Sequence, residues 1–170
     1  GWSGAMSLPR VLTVGAQGQL QMNPAAEVES LRGPAEHATL KPGQPHRIQL
    51  DTLRHELQLG LGLSSGKASV RLLTSGVAAW ELAIDIPNNK IQCGDIQFPL
   101  PDLPWPRPSL RMFLDASIVE CFIGGREALT SRVYALKPGA SELVITVEGG
   151  KDAELTHWPL NAISPDRLTT

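Results

Sequence analysis

The 170-residue sequence predicts an all-β fold: a two-sheet antiparallel β-sandwich, jelly-roll or concanavalin-like, with at most one short helix. Three observations carry this expectation. Sixteen glycines and fourteen prolines cut the chain into short runs, which suits strands and tight turns. About a dozen of those runs have the length and residue pattern of half-buried strands. Only one segment, bracketed by Pro24 and Gly33, carries both a helix start and a helix stop signal.

The expected strands run in order along the chain. They are Arg10 to Val14, Gln19 to Met22, Gln44 to Asp51, Glu56 to Leu63, Ser69 to Leu73 and Ala79 to Ile86. Lys90 to Cys93, Ser109 to Leu114, Ser117 to Ile123, Ala128 to Tyr134, Glu142 to Glu148 and Glu154 to Trp158 complete the set. Pro87-Asn88-Asn89 reads as a turn between two of them. Pro99 to Pro108 holds five prolines in ten residues, so it reads as an extended surface loop or edge. Short strands separated by turns are best satisfied by two stacked antiparallel sheets.

The hairpin within Leu110 to Tyr134 is the most informative segment. Val119, Cys121 and Ile123 share one strand face, while Ile118, Glu120 and Phe122 share the other. Gly124 and Gly125 tolerate positive φ and end the run. A three-residue loop, Gly124 to Arg126, places Cys121 opposite Leu129, Ile123 opposite Glu127 and Glu120 opposite Thr130, with Arg132 on the diagonal. A two-residue loop would pair Glu120 with Leu129 and mix the faces, so the longer loop with a glycine bulge is expected.

Length and charge bound the function. One domain of this size buries roughly 70% of its unfolded surface. Fifteen basic and seventeen acidic residues give a net charge of −2, with no basic tract for nucleic acid or an anionic membrane. No run reaches the roughly 18 apolar residues of a membrane span. No signal peptide precedes the domain, and the start at Gly1 reads as internal to a longer protein, which leaves the parent's export open. Two cysteines make no disulfide framework.

The same hairpin resembles the last hairpin of glycoside hydrolase family 32, the invertases, levanases, inulinases and other β-fructosidases. GWSGAMSLPRVL (Gly1 to Leu12) is similar to the segment that leaves that family's five-bladed propeller. PAAEVESLRG (Pro24 to Gly33) resembles the helical turn that follows, and DAELTHWPLNAI (Asp152 to Ile163) its closing strand. The resemblance implies a C-terminal β-sandwich over residues 11–163, a linker over 1–10 from a missing catalytic domain, and a tail over 164–170. It also implies retaining hydrolysis by two carboxyl groups about 5 Å apart, both supplied by the propeller and not by the sandwich. The implied partner is that propeller, packed through Trp2, Met6, Leu8 and Arg10, with β-fructoside sugars and a second copy as further candidates.

Three segments imitate the family's catalytic motifs, and none supports catalysis. Met22-Asn23-Pro24 lacks the aspartate of the Asn-Asp-Pro-Asn motif, and Pro165-Asp166-Arg167 reverses the order of Arg-Asp-Pro. Glu120-Cys121 reproduces the Glu-Cys dipeptide inside a sandwich strand. Strand parity makes it a surface Glu paired with Thr130 or Arg132 beside a core Cys. No catalytic residue is therefore assigned. His37, His46, His55 and His157 read as separate surface or loop histidines, so no metal is expected. Cys93 and Cys121 both fall on apolar strand faces and read as two buried thiols, a disulfide between them staying open. No phosphate loop, dinucleotide fingerprint or nucleophile elbow appears, so no cofactor is expected. For a sugar, Trp105 beside Asp102 and Arg107 is the candidate contact, because aromatic faces stack on sugar rings. Trp80 and Trp158 read as core or interdomain packing.

Overall fold

The computed structural model describes residues 6–16, 18–61, 66–100, 109–149 and 151–163. Trp2, Asp102, Trp105, Arg107 and the tail from residue 164 lie outside them. The chain begins with β1 (Arg10–Val14), β2 (Leu20–Pro24) and a 3-10 helix (Ala26–Leu31). Then come β3 (Glu36–Leu40), β4 (His46–Leu50), β5 (Arg54–Gly60), β6 (Lys67–Thr74), β7 (Val77–Asp85), β8 (Lys90–Cys93) and β9 (Ile96–Pro99). The last five strands are β10 (Ser109–Asp115), β11 (Ile118–Ile123), β12 (Glu127–Arg132), β13 (Ser141–Glu148) and β14 (Ala153–Pro159).

Two six-stranded antiparallel sheets form the sandwich. The first has the order β12-β11-β10-β5-β14-β3 and the second β4-β13-β6-β7-β8-β9. β1 and β2 stand apart as a two-stranded ribbon. Between the sheets lies the main core, assembled from every second residue of each strand. The first sheet sends in Leu57, Leu59, Leu110, Met112, Cys121 and Ile123, and the second answers with Val70, Leu72, Leu82, Ile84, Leu143 and Ile145. Burying one such side chain contributes roughly 1.5–3 kcal/mol, and the two-residue period keeps all of them on the inner faces.

The β11–β12 hairpin has the expected register: Cys121 pairs with Leu129, Ile123 with Glu127 and Glu120 with Thr130. Gly124 and Gly125 adopt φ of 60° and 68° in the three-residue loop. Other expectations need correction. Two strands were missed, β3 and β9, and both are edge strands. The helix expected after Pro24 is a 3-10 turn, held by i to i+3 bonds such as Val28 N–H to Ala25 O at 3.2 Å, with no side-chain cap. The strand expected from Ala79 starts earlier, at Val77, and Trp80 within it packs half-buried against the main core, as expected. The expectation of two buried thiols holds, since Cys93 and Cys121 are both buried and free of a disulfide, and burial raises both thiol pKa values.

The histidine expectation also needs correction. His55 and His157 are buried on the inner face of the first sheet, rings stacked with centroids 4.9 Å apart. In the β5–β14 register His157 stands opposite Leu57 and Pro159 opposite His55, so the two imidazoles are diagonal neighbours. The Thr52 carbonyl can only accept, so His55 Nε2–H donates to it at 2.9 Å. His55 Nδ1 then accepts from His157 Nε2–H at 2.7 Å. That leaves His157 Nδ1 as a buried lone pair without a hydrogen bond, 3.9 Å from the Glu36 carboxylate. Both rings are neutral near pH 7, because burial lowers both pKa values below the ordinary 6.5. Burial, reinforced by the neighbouring His157, holds the His55 pKa at about 4, against an ordinary value of 6.5. Burial also lowers His157, with Glu36 opposing.

A histidine pKa lowered in the fold means that the unfolded chain binds protons more readily below pH 6.5. Stability is then fully present above that value and declines as pH falls toward 4. His55 should account for a loss of about 3 kcal/mol between pH 7 and pH 4. Urea titrations across that range check this, and His55→Gln should flatten the slope between pH 6.5 and 5, where carboxylates contribute least.

Candidate functional site

The two sheets treat their outer faces differently. The second presents Lys67, Ser69, Glu81, Asp85, Lys90 and Gln92 around a depression of about 260 Å³. No aromatic side chain lines this depression, so a sugar ring would find no stacking surface there. The first sheet presents Arg111, Phe113, Phe122, Ala128 and Trp158 outward, together with two glutamates, Glu56 and Glu120. This face is covered. The segment Met6 to Pro9, the base of the β1–β2 ribbon and the 3-10 helix lie over it.

Cover and sheet meet in a second apolar cluster of Val28, Phe113 and Phe122, flanked by Leu8, Met22, Leu31, Ala128 and Leu160. Phe113 and Phe122 sit edge to face at 6.0 Å. Backbone bonds fix the layer: Met22 N–H to Gly125 O, Ala25 N–H to Pro9 O, Gly33 N–H to Pro159 O and Asn161 N–H to Leu31 O. A Cβ at Gly33 would lie 3.0 Å from the Pro159 carbonyl oxygen, so a larger residue there would have to push the end of β14 back by a few tenths of an ångström.

Two buried carboxylates hold the layer electrostatically. Glu120 is only 2% exposed, which corrects the expectation of a surface residue. Its Oε1 accepts the Leu8 backbone N–H at 2.6 Å, and its Oε2 accepts Arg10 Nη2 at 3.0 Å and Thr130 Oγ1 at 3.4 Å. Arg10 also lies 5.6 Å above the Phe122 ring. Glu56 is fully buried. Arg32 grips it in a fork, Nε to Oε2 at 2.8 Å and Nη2 to Oε1 at 2.7 Å, while Arg111 Nε donates to Oε1 at 2.8 Å. Glu29 on the 3-10 helix joins both arginines, at 3.1 Å from Arg32 and 3.2 Å from Arg111. Arg32 stacks 4.1 Å over Trp158, and its hydrogen bond to Glu56 raises its pKa.

This arrangement ties both glutamates into the packing of the covering layer. Glu56 and Glu120 face Phe113 from opposite neighbouring strands, so two strand spacings, about 10 Å, separate their backbones. Retaining hydrolysis needs carboxyls about 5 Å apart, one of them carrying a proton. Here guanidinium groups and a backbone N–H occupy the carboxylate oxygens as donors. Among the described residues no group of three His, Cys, Asp or Glu side chains is placed to hold a metal ion.

Beside Glu120 the cover leaves an open, mainly apolar cleft of about 380 Å³, bounded by Met6, Leu8, Phe113, Ile118, Leu160 and Ile163. Of the residues expected to face another domain, Met6 is exposed and Leu8 is half-buried at this cleft. Arg10 is turned inward onto Glu120. Sequence reasoning missed Arg32, Glu56 and Arg111 altogether. Glu56 follows the outward parity of its strand, so it looks like any solvent-facing glutamate until the covering layer is in place.

Removing the Glu56 charge would leave two largely desolvated guanidinium groups uncompensated. Glu56→Gln should therefore cost about 3 kcal/mol in urea unfolding. Glu120→Gln should cost less, about 1–2 kcal/mol, because Arg10 is partly solvated, and should speed proteolysis within Met6 to Arg10.

Comparison with known proteins places this architecture. The family model described as "Glycosyl hydrolases family 32 C terminal" matches residues 78–159. Sucrose-6-phosphate hydrolase of Escherichia coli is 32% identical over 174 residues, covering 94% of this chain and 35% of that protein. The β-fructofuranosidase of Bombyx mori superposes with a TM-score of 0.75 at 22% identity, over 95% of this chain and 34% of that one. An exo-inulinase from Aspergillus awamori gives 0.72 at 19% identity, over 95% and 37%. These two structural likenesses concern the fold. The chain spans about a third of the length of the relatives it matches. It belongs to the C-terminal β-sandwich domains of glycosyl hydrolase family 32.

Proposed function

We propose that this chain is a non-catalytic module of a longer glycosyl hydrolase that cleaves β-fructosides, and that it stabilises the catalytic domain by packing against it. The observation that carries the reading is the apolar cleft beside the Glu120 latch, where the N-terminal segment crosses the first sheet. An open apolar hollow lined by both terminal segments of a domain suits an interface with a neighbouring domain. Two further facts support it. The relatives are roughly three times as long, and their names, sucrose-6-phosphate hydrolase, β-fructofuranosidase and exo-inulinase, all denote hydrolases of fructosyl bonds. The buried carboxylates of this chain are engaged in holding its own layers together.

Production of the chain and of the polypeptide encoded upstream, separately and together, tests this. The chain should raise the melting temperature of the upstream polypeptide by several degrees, as expected for a partner that binds only the folded state. The chain alone should show no saturable binding of sucrose, inulin or levan and no release of fructose. Millimolar or tighter fructan affinity that disappears in Trp105→Ala would instead make it a carbohydrate-binding module. Sucrose hydrolysis by the purified chain, surviving Glu120→Gln, would overturn the non-catalytic reading.

A further inference from the structure

The β1–β2 ribbon carries an apolar face that this chain does not use. Cross-strand partners share a face, and the register pairs Leu12 with Met22 and Val14 with Leu20. At the base of the ribbon that face is occupied: Met22 packs on the second apolar cluster. Toward the tip the same face continues through Leu12, Val14 and Leu20, which are 58%, 75% and 54% exposed. The ribbon thus overhangs the domain with its apolar side uncovered among the described residues.

Its composition is equally unusual for a free edge. From Val11 to Asn23 there is no Asp, Glu, Lys, Arg or His, in a chain that is 19% charged. Exposed two-stranded ribbons are marginally stable alone, and free edges are normally blunted with charges or proline. A neutral, apolar, unprotected ribbon is what an element looks like when another surface covers it.

We propose that this ribbon is a docking arm whose occupant is an uncharged apolar patch on the catalytic domain of the same parent polypeptide. This deepens the module reading and rests on it. Two observations favour that occupant over a second copy of this chain. About two thirds of the length of the relatives is not represented here. The ribbon starts at Arg10, directly after the segment that Glu120 pins to the sheet. Its base is thereby fixed beside the covered face, and it extends by about 16 Å, five residues of strand. The arm and the cleft would then grip the neighbouring domain at two separate points.

The experiment is calorimetric titration of this chain with the separately produced upstream polypeptide. The triple variant Leu12→Ser, Val14→Ser, Leu20→Ser should weaken association at least about tenfold, as removal of a buried apolar anchor does. Its own melting temperature should hold within about 2 °C, because the three side chains are exposed in the isolated chain. Val77→Ser, an exposed apolar position on the second sheet, should leave the affinity unchanged. Unaltered affinity in the triple variant would overturn the docking arm while leaving the module reading intact. A dimer of the isolated chain that dissociates in the triple variant, with upstream binding unaffected, would assign the ribbon to a second copy and overturn the proposal. Failure of the unmodified chain to bind the upstream polypeptide at all would overturn the module reading and the arm with it.

Discussion

A carboxylate carried into a protein interior must bring its counter-charge with it. Glu56 is fully buried on the outer face of the first sheet, and Arg32 and Arg111 meet it there. Arg32 does not belong to the sheet. It follows the 3-10 helix, so the requirement to neutralise Glu56 draws the helix and the turn after it onto the sheet. Glu120 acts in the same way on the N-terminal segment, through Arg10 and the Leu8 N–H. The two glutamates convert a two-layer sandwich into one with a partial third layer.

The second sheet shows the contrast. Its outer face carries lysines, glutamates, serine and glutamine that are satisfied by water and by local pairs such as Lys67 with Asp85 at 2.9 Å. Nothing in those side chains calls for a cover. The asymmetry between the two outer faces gives the domain an orientation. The side that receives the N-terminal segment also holds the apolar cleft and the uncovered ribbon face, whereas the depression on the opposite side is lined mainly by charged and polar side chains. The uncovered apolar surface thereby lies directly beside the residues that close the first sheet.

How far the residues could be read in advance depended on whether the signal was local. The β11–β12 register followed from parity and a glycine loop, because an alternative loop would have mixed apolar and polar faces within six residues. Edge strands were harder. EHATL and IQFP pair on one side only and contribute few apolar side chains, so β3 and β9 carried too weak an alternation to stand out. Parity assigned Glu120 to the face opposite Cys121 correctly, but said nothing of what lies over that face. His55 has no histidine near it in sequence to pair with at strand spacing, and its partner His157 is 102 positions away.

The sequence by itself determined the all-β class, most strands, the hairpin register and the family, because each rests on periodicity, turn residues or short motifs within one stretch of chain. Tertiary structure alone decided the fate of the glutamates and histidines. Whether Glu120 is solvated or buried depends on Arg10, 110 positions away, and Glu56 depends on Arg32, 24 positions away, while the pairing of His55 with His157 spans 102 positions. It also decided that Arg10 turns inward while Leu12, Val14 and Leu20 remain uncovered, since alternation along a strand fixes which residues share a face and leaves open what that face meets.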